Sequence, residues 1–115
     1  MSYIDGYVVP VSTDKREAYL KSAIDGAAVF KEHGAVRVVE TWGDDVPEGK
    51  LTSFAFSVKL EPGETVVFSW IEWPSKEARD LGMKKAMEDP RLTEADMPFD
   101  GKRMIYGGFE VLLDS

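Results

Sequence analysis

Hydrophobic positions along this chain follow two rhythms, and the two-residue rhythm is strongest in Glu64–Trp73, ETVVFSWIEW. Val66, Phe68 and Trp70 fall on one side of an extended backbone, and Val67, Ile71 and Trp73 fall on the other, with Ser69 among them. A strand with one solvated face alternates apolar and polar positions, so a strand apolar on both sides predicts cover on both. Helices from the same chain can cover one side. A second protomer is the simplest cover for the other, which makes Val66, Phe68 and Trp70 the expected interface of a homodimer.

The same rhythm marks Tyr3–Val11, where Tyr3, Asp5, Tyr7 and Val9 share one face and Ile4, Gly6 and Val8 the other. Gly6 would let a helix pack closely, and Pro10, lacking a ladder donor, marks where pairing ends. Ala35–Trp42 predicts another strand, with Val36, Val38, Glu40 and Trp42 on one face. Lys102–Leu113 predicts the last, with Ile105, Phe109, Val111 and Leu113 opposing Met104, Tyr106, Glu110 and Leu112. Within it Gly107-Gly108 fits a bulge or a close approach of another group.

Helical spacing takes over in Asp14–His33, where Leu20, Ala23, Ile24, Ala27 and Phe30 form an apolar stripe behind Thr13 or Asp14 as cap. Asp14 and Glu17 have capping-box spacing, and Gly34 suits the left-handed residue beyond a helix end. Ser75 caps a second helix that runs towards Glu88, carries Ala78, Leu81, Ala86 and Met87 on its apolar face, and is ended by Pro90. Leu51–Leu60 fits either a strand or a short helix, Gly43–Lys50 is an acidic loop, and Glu61-Pro62-Gly63-Glu64 fits a type II turn. Residues 91–100 form a connector whose Leu92, Met97, Pro98 and Phe99 hold it against the domain. The order β-α-β-(β)-β-α-β is the split βαβ arrangement of an α+β, ferredoxin-like fold. Tyr3–Val11 and Glu64–Trp73 would lie at the centre of its antiparallel sheet.

Composition narrows the chemistry. A chain of 115 residues is expected to form one domain, 1–115. Without cysteine it has neither disulfides nor thiolate chemistry, and a single histidine, His33, rules out a multi-histidine metal centre. With 21 acidic and 14 basic side chains the net charge is −7, and no basic patch stands out to draw nucleic acid. The N-terminus has no signal-peptide pattern and no apolar run is long enough to span a membrane, so a cytoplasmic protein is expected. No phosphate-binding glycine loop, dinucleotide fingerprint, nucleophile elbow or zinc pattern is present, and no cofactor is expected.

VVETWGDDVPEGK (Val38–Lys50), ETVVFSWIEWPSKEARD (Glu64–Asp80) and MPFDGKRMIYGGFEVLLD (Met97–Asp114), with YIDGYVVPV and FKEHGA, resemble the YbaA-like bacterial proteins. That is a family of small domains of unknown function, and the similarity runs nearly end to end, weakest in Leu51–Leu60. The resemblance implies a ferredoxin-like protomer that pairs through its sheet into a dimeric α/β barrel. It brings no reaction, cofactor or catalytic residue. The wider dimeric α/β-barrel group includes cofactor-free oxygenases, haem-degrading and chlorite-processing enzymes and isomerases, so the fold assigns no function.

Catalytic candidates are accordingly chosen by residue type alone: His33, Glu40 and Asp5. His33 can act as a base, or simply interact with the helix C-terminus just before Gly34. Asp5, Glu40, Glu72 and Glu110 lie inside strands, where a covered carboxylate must be paired, exposed or shifted in pKa, with Arg37, Lys102 and Arg103 as available partners. Tyr7, Trp42, Trp73 and Arg37 are the candidates for holding a small organic ligand, with core or interface packing as the competing role of the aromatic residues. Asp44, Asp45 and Glu48 lack the spacing of a calcium loop, and no metal site is expected. Two functions stay open: a small-molecule-binding or enzymatic domain with an aromatic-lined pocket, and a non-catalytic dimeric module for protein interaction or stress; a cofactor-free oxygenase or isomerase is a further alternative by fold analogy only.

Overall fold

The computed structural model describes residues 2–115. Its strands are β1 (Tyr3–Ser12), β2 (Arg37–Glu40), β3 (Glu64–Trp73) and β4 (Ile105–Glu110). The helices are α1 (Arg16–Glu32), α2 (Phe54–Ser57), α3 (Lys76–Met87) and α4 (Pro90–Thr93). The strands form one antiparallel sheet in the order β2-β3-β1-β4, which puts the two most apolar strands at its centre. This is the ferredoxin-like arrangement expected from the element order.

Local chemistry explains most of the element ends. Ser75 accepts a hydrogen bond from the Ala78 amide at 3.1 Å and so caps α3. Gly34 follows α1 with φ of +111°, a conformation that favours glycine. Leu51–Leu60 resolves into the single turn of α2, with Ser53 accepting from the Phe56 amide. Several expectations are corrected. Pairing does not end at Pro10: β1 stays in register with β3 as far as Ser12 and Glu64, and Pro10 lies beyond the last β4 pair, at Val8, where β3 is its only neighbouring strand. The strand expected over Ala35–Trp42 is shorter, Arg37–Glu40. A 3-10 turn at Thr13–Lys15 precedes α1, which has no side-chain cap, because the Ser12 hydroxyl and Asp14 carboxylate bond to each other. Pro90 does more than end α3: it takes the first position of α4, where its missing N–H costs nothing. The last strand is shorter than Lys102–Leu113, because β4 pairs only with the Tyr3–Val8 part of β1. That pairing is one-to-one through Gly107-Gly108, so there is no bulge; Gly108 instead admits Tyr3 and Arg79 against the backbone.

One sheet face carries α1 and α3. Its core falls into two clusters, Tyr3, Ala35, Ile71 and Trp73 at one end and Val9, Val11, Tyr19 and Val67 at the other. The opposite face is covered at one end only, where Val58 beyond α2 is completely buried against Val8 and Val66. Val66, expected at a dimer interface, is thus covered by its own chain. Past that cover Phe68, Ile105 and Phe109 are exposed, and Phe54, Phe68 and Trp70 form an aromatic row with ring centroids 5.9 and 5.6 Å apart. Gly6 lies on this open face beneath the Phe109 ring rather than beneath a helix.

Candidate functional site

The strand register assembles a site that no single segment announces. Glu40 of β2 pairs with Ser69 of β3, Ser69 with Tyr7 of β1, and Tyr7 with Tyr106 of β4. Paired positions share a face, so one row across all four strands presents carboxylate, hydroxyl, phenol and phenol towards the helices. Adjacent rows are largely apolar, with Val38 and Ile71 on one side and Val9 and Val67 on the other.

Opposite this row α1 turns inward its smallest residues, Ser22, Ala23, Gly26 and Ala27. Small side chains facing a row whose polar ends stand up from the sheet leave the space between unfilled. The result is a cavity of about 580 Å³ between the two core clusters, within the range of small-molecule sites. Met83, Met87, Met97 and Met104, all the methionines of the described residues, lie in its walls with Phe30, Leu92 and Phe99. Thioether side chains are flexible and polarisable and adapt to irregular ligands. The connector is held over this space by Arg103, which donates two hydrogen bonds of 2.8 Å to Glu64 and a third of 2.9 Å to Asp100. That engagement lowers the pKa of Glu64.

Two charged groups differ sharply in how they are held. Asp5, 4% exposed, accepts from Arg79 Nη2 at 2.8 Å, from Arg79 Nε at 3.1 Å and from Trp73 Nε1 at 2.9 Å. These bonds raise the pKa of Arg79 further, and the pair is electrically closed. Glu40 instead accepts a 2.6 Å hydrogen bond from the Tyr19 hydroxyl, and no cation is among the groups acting on it. It opens to solvent at the cavity edge, but the surrounding walls desolvate it. Its pKa is raised by that desolvation, against the opposing effect of the Tyr19 and Ser69 hydroxyls. Desolvation also leads the upward shifts of Tyr19 and Tyr7, reinforced at Tyr19 by Glu40 and at Tyr7 by Asp5. Both phenols are therefore neutral hydrogen-bonding groups at physiological pH.

Of the residues singled out in the sequence, Asp5, Tyr7 and Glu40 meet in the cavity. Trp73 does not: it is 1% exposed, and α3 approaches it at Gly82, so it belongs to the core. Trp42 lies behind Tyr19, with ring centroids 6.4 Å apart, and carries the Arg16 guanidinium over its ring. Arg37 stands on the opposite sheet face, 3.4 Å from Glu72. His33, at the end of α1, faces Asp89 at 3.0 Å away from the cavity, and bonds from Arg91 and then His33 lower the Asp89 pKa. Tyr19, Ser69 and the methionines were missed. Ser69 carried a signal, being the one small polar residue inside an otherwise apolar run. Among the described residues no group of three or more His, Asp or Glu side chains is placed to hold a metal ion, and no helix is long and apolar enough to cross a membrane.

Comparison with known proteins bears out the resemblance. The family described as "Protein of unknown function (DUF1428)" matches residues 2–101. The Uncharacterized protein YbaA of Escherichia coli K12 is 58% identical over 116 residues, covering 99% of each chain, and that of Shigella flexneri matches equally. Among solved structures, a dimeric ferredoxin-like protein from an uncultured marine organism superposes with a TM-score of 0.60 at 8% identity, over the whole of both chains. Rv0793 from Mycobacterium tuberculosis superposes with a TM-score of 0.53 at 13% identity, over 100% of this chain and 99% of its own. At such identities the likeness concerns the fold alone. Sequence and fold agree, and the chain belongs to the DUF1428 family, to which the YbaA proteins are its full-length relatives.

Proposed function

We propose that this protein is a homodimeric small-molecule-binding domain that takes an organic ligand into the cavity between its sheet and helices. The observation that carries the reading is the cavity itself: about 580 Å³, walled by methionine and aromatic side chains, with four polar groups converging from one row of the sheet. An apolar body can enter the methionine-lined space while hydroxyl, phenol and carboxylate fix its orientation. The paired Asp5–Arg79 unit supplies a rigid end wall. Homodimer formation is supported by the aromatic row left open on the other face and by the dimeric neighbour of the same fold.

The test is a fluorescence titration with Nile red, a neutral dye that brightens in apolar surroundings. The parent chain should give a saturable signal, and Ala27→Phe, which projects a ring into the cavity from α1, should weaken it at least tenfold while circular dichroism stays unchanged. Native mass spectrometry of gently purified protein should also reveal a retained molecule that organic solvent removes. A parent chain that neither binds the dye nor retains any molecule would end the proposal.

A further inference from the structure

The cavity wall contains a carboxylate without a counter-charge. The Arg79 guanidinium is committed on every side, its Nε and Nη2 to Asp5 and its Nη1 to Asp80 at 3.0 Å. Asp5 is fully engaged in return by Arg79 and Trp73. Glu40 has one hydrogen-bond partner, the Tyr19 hydroxyl of α1, with Ser69 of β3 beside it in the sheet register. The row that begins with Glu40 ends in the stacked rings of Tyr7 and Tyr106, whose centroids are 6.3 Å apart. Carboxylate and aromatic faces thus lie along one line of the cavity floor.

Resting on the binding reading, we infer that the cavity selects an organic cation: an apolar, ring-sized body bearing an ammonium group that pairs with Glu40. Three features of the wall favour this class. An ammonium donates to the unpaired carboxylate, forming a charge-assisted hydrogen bond in surroundings that screen it less than water does. The tyrosine rings, two and three strands from Glu40, offer their faces to the ring-sized body that the ammonium carries. An anionic ligand would meet Glu40 while finding no uncommitted cation among the described cavity residues. Partial desolvation by the cavity walls raises the pKa of Glu40, and a bound cation would relieve that cost by favouring the ionised carboxylate.

Three probes of one shape separate charge from fit: naphthylmethylammonium, naphthalenemethanol and naphthoate, titrated by calorimetry at mildly alkaline pH. The expected order on the parent chain is ammonium tightest by about tenfold, alcohol next and naphthoate weakest. Glu40→Gln should weaken the ammonium far more than the alcohol and so erase the gap between them. Glu48→Gln, which removes an exposed acid from the loop, should leave the order intact and so excludes a general effect of the net charge of −7. The order on the parent chain is informative even if a variant folds poorly. Naphthoate binding as tightly as the ammonium, or an ammonium preference that survives Glu40→Gln, overturns the inference and leaves the cavity reading standing. Failure of all three probes to bind overturns the inference, and the cavity reading falls with it only where the dye titration and the search for a retained molecule fail as well.

Discussion

Asp5 shows what one residue can impose on this chain. It is a carboxylate in the middle of a central strand, and it accepts hydrogen bonds from a guanidinium in α3 and an indole at the end of β3, so one side chain ties the N-terminal strand to the β3–α3 junction. The pair is buried on the Asp5 side and one-quarter exposed on the Arg79 side. Removing the negative charge would strand a guanidinium that Asp80 only partly answers. Asp5→Asn should therefore cost about 2 kcal/mol in urea unfolding, below the full penalty of a wholly buried pair because solvent reaches Arg79. A change within a few tenths of a kcal/mol would mean that Asp80 and water carry Arg79 without help. The sequence placed Asp5, Glu40 and Tyr7 on strands with their faces fixed by period two, so their presence at one site was legible. Their companions were not. Tyr19 lies on a helix whose rotation depends on packing, and its bond to Glu40 joins residues 21 positions apart.

Elements were legible where one residue type decides the backbone, and less so where packing decides. Ser75, Gly34 and Pro90 mark helix ends through a hydrogen bond, a φ value and a ring, all local. The face that α1 buries is not local. Its inward side carries Tyr19, Ala23 and Ala27, whereas Leu20 and Ile24, counted in the stripe, are 54% and 61% exposed. Leu81 of α3 is likewise turned out, at 57%. Hydropathy alone favours burying the largest apolar residues, but the helices are set by where they can approach the sheet. Gly82 is that point for α3: a Cβ there would collide with the Trp73 ring and the His33 carbonyl. Gly82→Ala gains up to about 1 kcal/mol of helix propensity. The collision with backbone and a fixed indole costs about 1–3 kcal/mol and should win. Thermal unfolding should show net destabilisation, whereas a higher melting temperature would mean that α3 shifts at little cost.

At the scale of the whole molecule the chain is flat and has a large surface. Its extents are 38 × 34 × 22 Å and its radius of gyration is 14.6 Å, against about 13.4 Å for a compact chain of this length. Its accessible surface is 7882 Å², where a compact monomer of this mass exposes about 6,300 Å². The cavity and the exposed tail residues Leu112 and Leu113 account for part of the excess. The open sheet face supplies more, and a partner in a standard interface covers roughly 800 Å² of each protomer. Phe68 is the residue on which to test this, being 44% exposed at the centre of the Phe54–Phe68–Trp70 row, whereas Val66 is buried within its own chain. Phe68→Asp costs little in an isolated protomer because the new carboxylate can remain hydrated, but in a face-to-face dimer it would be buried without a counter-ion. Light scattering should therefore give twice the 12.8 kDa chain mass for the parent and the single mass for the variant. The cavity lies on the other side of the sheet, so the monomeric variant should still bind naphthalenemethanol like the parent. A variant that stays dimeric would place the interface elsewhere, with the exposed β4 edge the next surface to change.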